Sequence, residues 1–163
     1  MSVHISAVAL DEVVARALLG SPANVTVDVP EDLPLVHADA GLLERAVANL
    51  VDNALRFSPN DVPVRIHADL PGADDQPDPG ATGGAAAAHV RLQVIDQGPG
   101  IPPSQWASMF VPFQRLGDHD ATASLGLGLA IAQGFTEAMD ARLTPSQTPG
   151  GGLTMTITLA MAP

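Results

Sequence analysis

Helical and alternating hydrophobic patterns succeed one another along this chain as α-β-α-β-β-α-β-β, without the regular βαβ beat of a doubly wound parallel sheet. Residues 8–19, "VALDEVVARALL", suit an amphipathic helix closed by Gly20 and Pro22. "VTVDV" (25–29) alternates as a strand and stops at Pro30, and "EDLPLVHAD" reads as a polar connection. Asp39 stands as N-cap for a helix over 40–57, which "SPND" breaks. "VPVRIHADL" (62–70) and "HVRLQVID" (89–96) follow as strands, the first with Val62, Val64, Ile66 and Ala68 on one face. A short helical stretch near 103–109, a polar region, a helix at 127–140 and two strands, "ARLTPSQ" and "GGLTMTITLAM", complete the order. The fold class this suits is α/β, a two-layer sandwich: a mixed β-sheet with helices packed on one face. At 163 residues the chain is expected to form one domain over 1–163.

Residues 71–88, "PGADDQPDPGATGGAAAA", have no periodicity and read as a flexible insertion between two neighbouring strands. Apolar residues make up 46%, yet no window approaches the roughly 20 that a membrane span needs. No basic stretch followed by an apolar one opens the sequence, so no signal peptide is expected, and the reading is soluble and cytoplasmic. The chain has no cysteine, which excludes disulfides and thiolate metal sites. With 18 acidic residues against 7 basic, the formal charge is −11, a surface that repels a phosphate backbone and argues against nucleic-acid binding. An anionic ligand must therefore be held by local devices: backbone N–H groups, a metal ion or a placed arginine.

Three stretches offer such devices. In "LLERAVANLVDNALRF" (42–57), Arg45, Asn49 and Asn53 lie within about 80° of one another on the helix, beside the stripe of Leu43, Val47, Leu50 and Ala54. Asparagine is a poor helix former. The pair either lends side-chain oxygens to a magnesium ion shared with substrate phosphates, or caps a loop or faces solvent. "DQGPGIP" (96–102) ends a strand. Asp96 can accept from an amino group while Gly98 and Gly100 admit a planar ligand, or the stretch is an ordinary turn. In "SLGLGLAIA" (124–132), Gly126 and Gly128 enter a helix whose first N–H groups can take an anion, or they form a glycine-rich loop without chemistry. The last is no Walker-type loop, because no Lys-Ser/Thr pair follows the glycines.

Taken in chain order, Asn-x-x-x-Asn-Ala, Asp-x-Gly-x-Gly-Ile, "FVPFQR", Gly-Leu-Gly-Leu and "GGGLT" resemble the N, G1, F, G2 and G3 boxes of the ATP-binding catalytic domain of sensor histidine kinases. That domain belongs to the superfamily shared with gyrase B, the Hsp90 chaperones and MutL, with its Bergerat-type ATP-binding fold. The resemblance covers about residues 37–160. "VPFQRLGD", "GLGLAIAQGFTEAM" and "TPGGGLT" further resemble the potassium-responsive Kdp sensor kinases.

The resemblance implies ATP and Mg²⁺ as cofactors. Asn53 would ligate the metal with Asn49 assisting, Arg56 would reach the phosphates, and Phe57 would pack on the adenine side. Asp96 would accept the adenine amino group, Gly98, Gly100 and Ile101 would shape that wall, and Thr154 would join the Asp96 network. Gly126, Leu127 and Gly128 would frame the phosphates. Phe110, Phe113 and Arg115 would anchor one end of a mobile lid, residues 112–125. Asn49 and Arg56 are the catalytic candidates. Gyrase-like relatives carry a glutamate base where Asn49 stands, and an amide cannot activate water. The implied chemistry is therefore transfer of the γ-phosphoryl group to a histidine, without hydrolysis.

Two departures stand against the family pattern. Ser124 occupies the first glycine position of the G2 box, which bears on lid geometry. No His-Glu phosphoacceptor box is present, and His4, His37, His67, His89 and His119 each read as single surface histidines. The implied partners are then a histidine-bearing dimerisation domain of the same full-length protein and a response regulator. The piece is expected to be inactive alone, to make no direct membrane contact, and to come from a membrane receptor of the inner or plasma membrane. Two other readings remain: a nucleotide-sensing or docking module of the same fold, and an anti-sigma-type serine kinase, against which Asn49 and "FVPFQR" argue.

Overall fold

A computed structural model describes residues 2–20, 24–59, 61–70, 89–110 and 125–162. The 71–88 insertion, Phe113, Arg115, His119, Ser124 and nearly all of the expected lid lie outside these residues. The elements are β1 (Ser6–Val8), α1 (Leu10–Ala17), β2 (Val25–Asp28), β3 (Val36–Ala38), α2 (Ala40–Phe57), β4 (Val64–Asp69) and β5 (His89–Ile95). A 3-10 turn (Pro103–Gln105) then runs into α3 (Trp106–Met109), followed by α4 (Leu125–Ala138), β6 (Arg142–Gln147) and β7 (Leu153–Ala160).

Five strands form a mixed sheet in the order β2-β4-β5-β7-β6, with β2 parallel to β4 and every other pair antiparallel. Period-2 alternation puts Val64, Ile66 and Ala68 of β4, Val90, Leu92 and Val94 of β5, and Met155, Ile157 and Leu159 of β7 into the core. Helix α2 meets them with Leu43, Val47, Leu50 and Ala54, all buried, and packs against both α1 and α4. The helices cover one face of a two-layer sandwich, as the order of periodicities implies. Asp39 caps α2: its Oδ1 accepts the Leu42 N–H at 3.1 Å, and Oδ2 accepts the His4 backbone N–H at 2.8 Å.

The structure differs from the sequence reading in four places. The connection "EDLPLVHAD" contains β3, which pairs antiparallel with β1 in a small second sheet. Three-residue strands are too short to show alternation, and their pairing is decided by tertiary contact. Helix α1 begins at Leu10, because residues 6–8 belong to β1. Leu125, given to the lid, opens α4, so Gly126 and Gly128 lie within its first turn or so. His67 does not stand alone either: on the open sheet face its Nδ1 lies 3.0 Å from Asp28 Oδ2 and its Nε2 3.3 Å from Asp69 Oδ2. Among the described residues no group of histidines and carboxylates has the makings of a metal site, and no helix is long and apolar enough to cross a membrane.

Candidate functional site

Strand β5 delivers Asp96 to the sheet's end, where the side chain is 4% exposed. Its backbone continues the ladder, the Asp96 N–H donating to the Leu153 carbonyl at 3.0 Å. Its carboxylate is held through one oxygen. Oδ1 accepts the Gly98 N–H at 3.0 Å and the Leu153 N–H at 3.1 Å. Among the described residues Oδ2 accepts no hydrogen bond. Burial pushes the Asp96 carboxyl above its ordinary value, against the two N–H donors, which favour the charged form.

Thr154 joins this network at one remove. Its Oγ1 lies 2.9 Å from Thr148 Oγ1, and Thr148 donates at 3.0 Å to the Asp96 carbonyl. Thr148 escapes a reading of the sequence because a hydroxyl before a Pro-Gly hairpin is an ordinary turn signal. Trp106 is a second such residue: its indole N–H donates to the Ile101 carbonyl at 2.9 Å and fastens the far end of the turn. Ile101 itself is buried.

The turn 96–101 is wedged between α2 and the β6–β7 hairpin. Gly98 lies against the Phe57 carbonyl so tightly that a Cβ would collide with it, the carbonyl carbon being 2.9 Å away. The space that glycine frees at position 98 is thus taken by the end of α2, and this contact couples the Asp96 turn to the asparagine helix. Gly100 packs instead toward Gly152.

On α2, Asn53 is 5% exposed, and its Oδ1 has no hydrogen-bond partner among the described residues. A buried carbonyl oxygen without a donor is costly, and a hard cation that prefers oxygen ligands meets its need. The residues therefore fit a magnesium ion, with Asn53 as ligand and half-buried Asn49 one turn behind it on the same side. Arg56 is exposed and lies 3.5 Å from Asp52, within reach of the helix's open flank, and Phe57 is half-buried. Gly126, Leu127 and Gly128 fall at the N-terminal end of α4, where backbone N–H groups lack intrahelical partners and the helix dipole favours an anion. A Cβ on Gly128 would meet nothing within 4 Å. Asn49, Asn53, Arg56 and Phe57 stand along α2, and the Phe57–Gly98 contact brings the end of that helix to the turn that carries Asp96, Gly98, Gly100 and Ile101, which Thr154 joins from β7; Arg115 is outside the described residues.

The fold is a helix-covered mixed sheet, with a buried carboxylate at one strand's end and, on the facing helix, an asparagine whose buried Oδ1 has no partner among the described residues. Residues 38–163 match the model of the histidine kinase-, DNA gyrase B- and HSP90-like ATPase family. The Mycobacterium tuberculosis (strain ATCC 25618 / H37Rv) sensor protein KdpD is 44% identical over 162 residues, spanning 93% of this chain and 17% of that protein. The mycobacterial sensor histidine kinase MprB is 30% identical with a TM-score of 0.67, covering 98% of this chain and 99% of that structure. The full-length ShkA structure in complex with AMPPNP shares the fold, at a TM-score of 0.71 and 24% identity over 99% of this chain and 32% of ShkA. The chain belongs to the histidine kinase-, DNA gyrase B- and HSP90-like ATPase family, as a histidine kinase ATPase domain. It spans about a sixth of the curated KdpD relatives it matches.

Proposed function

We propose that this domain binds Mg-ATP between α2, the turn at 96–101 and the start of α4, and donates the γ-phosphoryl group to a histidine on a dimerisation domain outside this chain. The observation that carries the reading is Asp96: one carboxylate oxygen is pinned by two backbone N–H groups and the other is left open. Such an acceptor pairs with the 6-amino group of adenine and repels the 6-oxo group of guanine.

Asn53, assisted by Asn49, would hold the magnesium, which neutralises phosphate charge during transfer. Arg56 and Arg115 would meet the phosphates, with Gly126, Leu127 and Gly128 offering backbone N–H groups. Gly98, Gly100 and Ile101 form the wall behind the base, Phe57 flanks it, and Thr154 steadies Asp96 through Thr148. Asn49, an amide, cannot activate water, which suits a site that keeps its ATP for an incoming histidine. Residues 1–163 would act as one ATP-binding unit, with 71–88 as an insertion and 112–124, up to the start of α4, as the lid. It would work in the cytoplasm as part of a membrane-bound, Kdp-like sensor kinase that phosphorylates a response regulator, and would be inactive without the histidine domain.

Calorimetric titration of ATP and GTP, with and without Mg²⁺, tests this reading. Mg-dependent ATP binding is expected between micromolar and millimolar Kd, about −8 to −4 kcal/mol. It should exceed GTP binding and weaken sharply in Asn53→Ala. No ATP binding by the native chain at millimolar nucleotide overturns it.

A further inference from the structure

The β6–β7 hairpin grips Asp96 by its backbone as well as by its carboxylate. Thr148 is buried and fixed within that hairpin: its N–H donates to the Gly152 carbonyl at 3.1 Å, and its carbonyl accepts the Gly151 N–H at 2.9 Å. Its hydroxyl meets two oxygens, the Asp96 carbonyl at 3.0 Å and Thr154 Oγ1 at 2.9 Å. A carbonyl cannot donate, so the one hydroxyl hydrogen of Thr148 goes to Asp96. Thr154 must then donate to Thr148. Valence thus fixes the order Thr154 to Thr148 to Asp96, and Thr154 has no hydrogen left for a ligand.

Both threonines line a cleft on the sheet face that the helices leave open, together with Arg65, Gln93 and Ile95. The last two alternate along β5 with Leu92 and Val94, which lie in the core. From that side Thr148 holds the peptide that joins Asp96 to Gln97. Where this peptide points decides where the next N–H groups of the turn fall. One of them, from Gly98, pins Asp96 Oδ1 at 3.0 Å, and the hairpin's own Leu153 N–H pins it at 3.1 Å. The direction left to Oδ2 therefore follows from how the hairpin holds this turn.

We infer that Thr148 is the positioning residue of the adenine acceptor: its hydroxyl holds the Asp96–Gln97 peptide so that Oδ2 keeps its aim, while Thr154 only orients that hydroxyl. The inference rests on the adenine-nucleotide reading above and adds a residue to it. It makes the two threonines unequal. Thr148→Val, alike in shape, strips the buried Asp96 carbonyl of this donor and leaves Thr154 without its acceptor. Thr154→Val leaves the bond from Thr148 to Asp96 in place.

Calorimetric Kd values for Mg-ATP and Mg-ITP on the native chain, Thr148→Val, Thr148→Ser and Thr154→Val test it, with thermal melts to show that each is folded. ITP carries a 6-oxo group where ATP carries the amino group, so the ratio of the two affinities reads the contact with Asp96. In Thr148→Val the ATP affinity is expected to fall about three- to tenfold, the worth of one hydrogen bond, with ITP affinity unchanged. Thr148→Ser should restore the native ratio, and Thr154→Val should keep it within about twofold. A native ratio in Thr148→Val, whether both affinities hold or both fall together, overturns the inference and leaves the ATP reading standing. So does a ratio lowered as far by Thr154→Val. Should Thr148→Val not fold, the double variant Thr148→Val/Thr154→Val, which replaces both hydroxyls by apolar groups of the same shape, answers to the same outcomes. Failure of the native chain to bind ATP, or to prefer it to ITP, overturns both.

Discussion

Gly152 lies against the backbone of Asp96 so closely that a Cβ there would collide with the Asp96 carbonyl and come within 2.8 Å of its carbon. Its φ of +115° adds a second reason for glycine. This contact seats the β6–β7 hairpin on the turn that carries the carboxylate. Gly152→Ala should therefore cost about 2 kcal/mol or more of stability and displace Asp96. Gly150→Ala, with φ +88° but open space around it, should cost only about 1 kcal/mol and leave nucleotide affinity unchanged. Urea denaturation and ATP titration of both variants would check the contrast, with Trp106, the single tryptophan, as a fluorescent reporter bonded to the same turn.

Asp96 gives a pH dependence of definite sign. Its carboxyl titrates above the ordinary value because of burial, so the folded state holds the proton more tightly than the unfolded state does. Its contribution therefore lowers stability as pH rises from 3.8 through the raised value, and the cost is fully present above that value. Asp96→Asn keeps an oxygen for the Gly98 and Leu153 N–H groups, removes the buried charge, and should be at least as stable at pH 7. It should also bind ATP roughly 10- to 100-fold more weakly, since the open acceptor becomes a donor facing the adenine amino group. In the native domain ATP affinity should decline with falling pH before ordinary carboxylates titrate. Calorimetry across pH 4–8, with thermal melts at the same points, reads both effects.

Asp39 works in the opposite direction. The His4 N–H and then the Leu42 N–H favour its charged form and hold its carboxyl below the ordinary 3.8. The stability it adds is present above that ordinary value and is lost as pH falls through the lowered one. Asp39→Ala should destabilise the domain by about 1 kcal/mol at pH 7, and the gap to the native chain should close in strong acid. Urea midpoints from pH 2 to 7 would show it. Asp39→Asn, which can still cap, should retain most of the stability.

What could be read from the sequence divides along physical lines. Helix α2 was legible to the residue, 40–57 with Asp39 as cap, because an 18-residue amphipathic pattern with a capping side chain has no competing structure. Strands β4, β5 and β7 announced themselves by alternation. Strands β1 and β3 did not, since three residues carry no period and their partners lie some 30 residues away. Within the site, Asp96 and Asn53 belong to spaced motifs and could be picked out. Thr148 and Trp106 could not: Thr148 acts through a contact with a residue 52 positions away, and the Trp106 indole through a bond to a backbone carbonyl, and a linear pattern records neither. The role of Gly98 was legible only as closeness, and the structure shows that the close neighbour is the Phe57 carbonyl.

Helix α4 offers the sharpest separation of folding from binding. It contains both Gly128 and Gly134, and in each case a Cβ would meet nothing within 4 Å. Glycine within a helix is less favourable than alanine, so packing explains neither residue. If the start of α4 receives the phosphates, Gly128 is retained for the ligand, whereas Gly134, two turns on, has no such part. Gly134→Ala should raise stability by about 0.5–1 kcal/mol and leave Mg-ATP affinity as it was. Gly128→Ala should raise stability by a similar amount and weaken Mg-ATP binding about tenfold, because a methyl group then stands where phosphate oxygens approach the backbone. Thermal denaturation with and without Mg-ATP checks both variants in one series. A Gly128→Ala domain that gains stability and binds ATP like the native chain would remove the phosphates from the start of this helix.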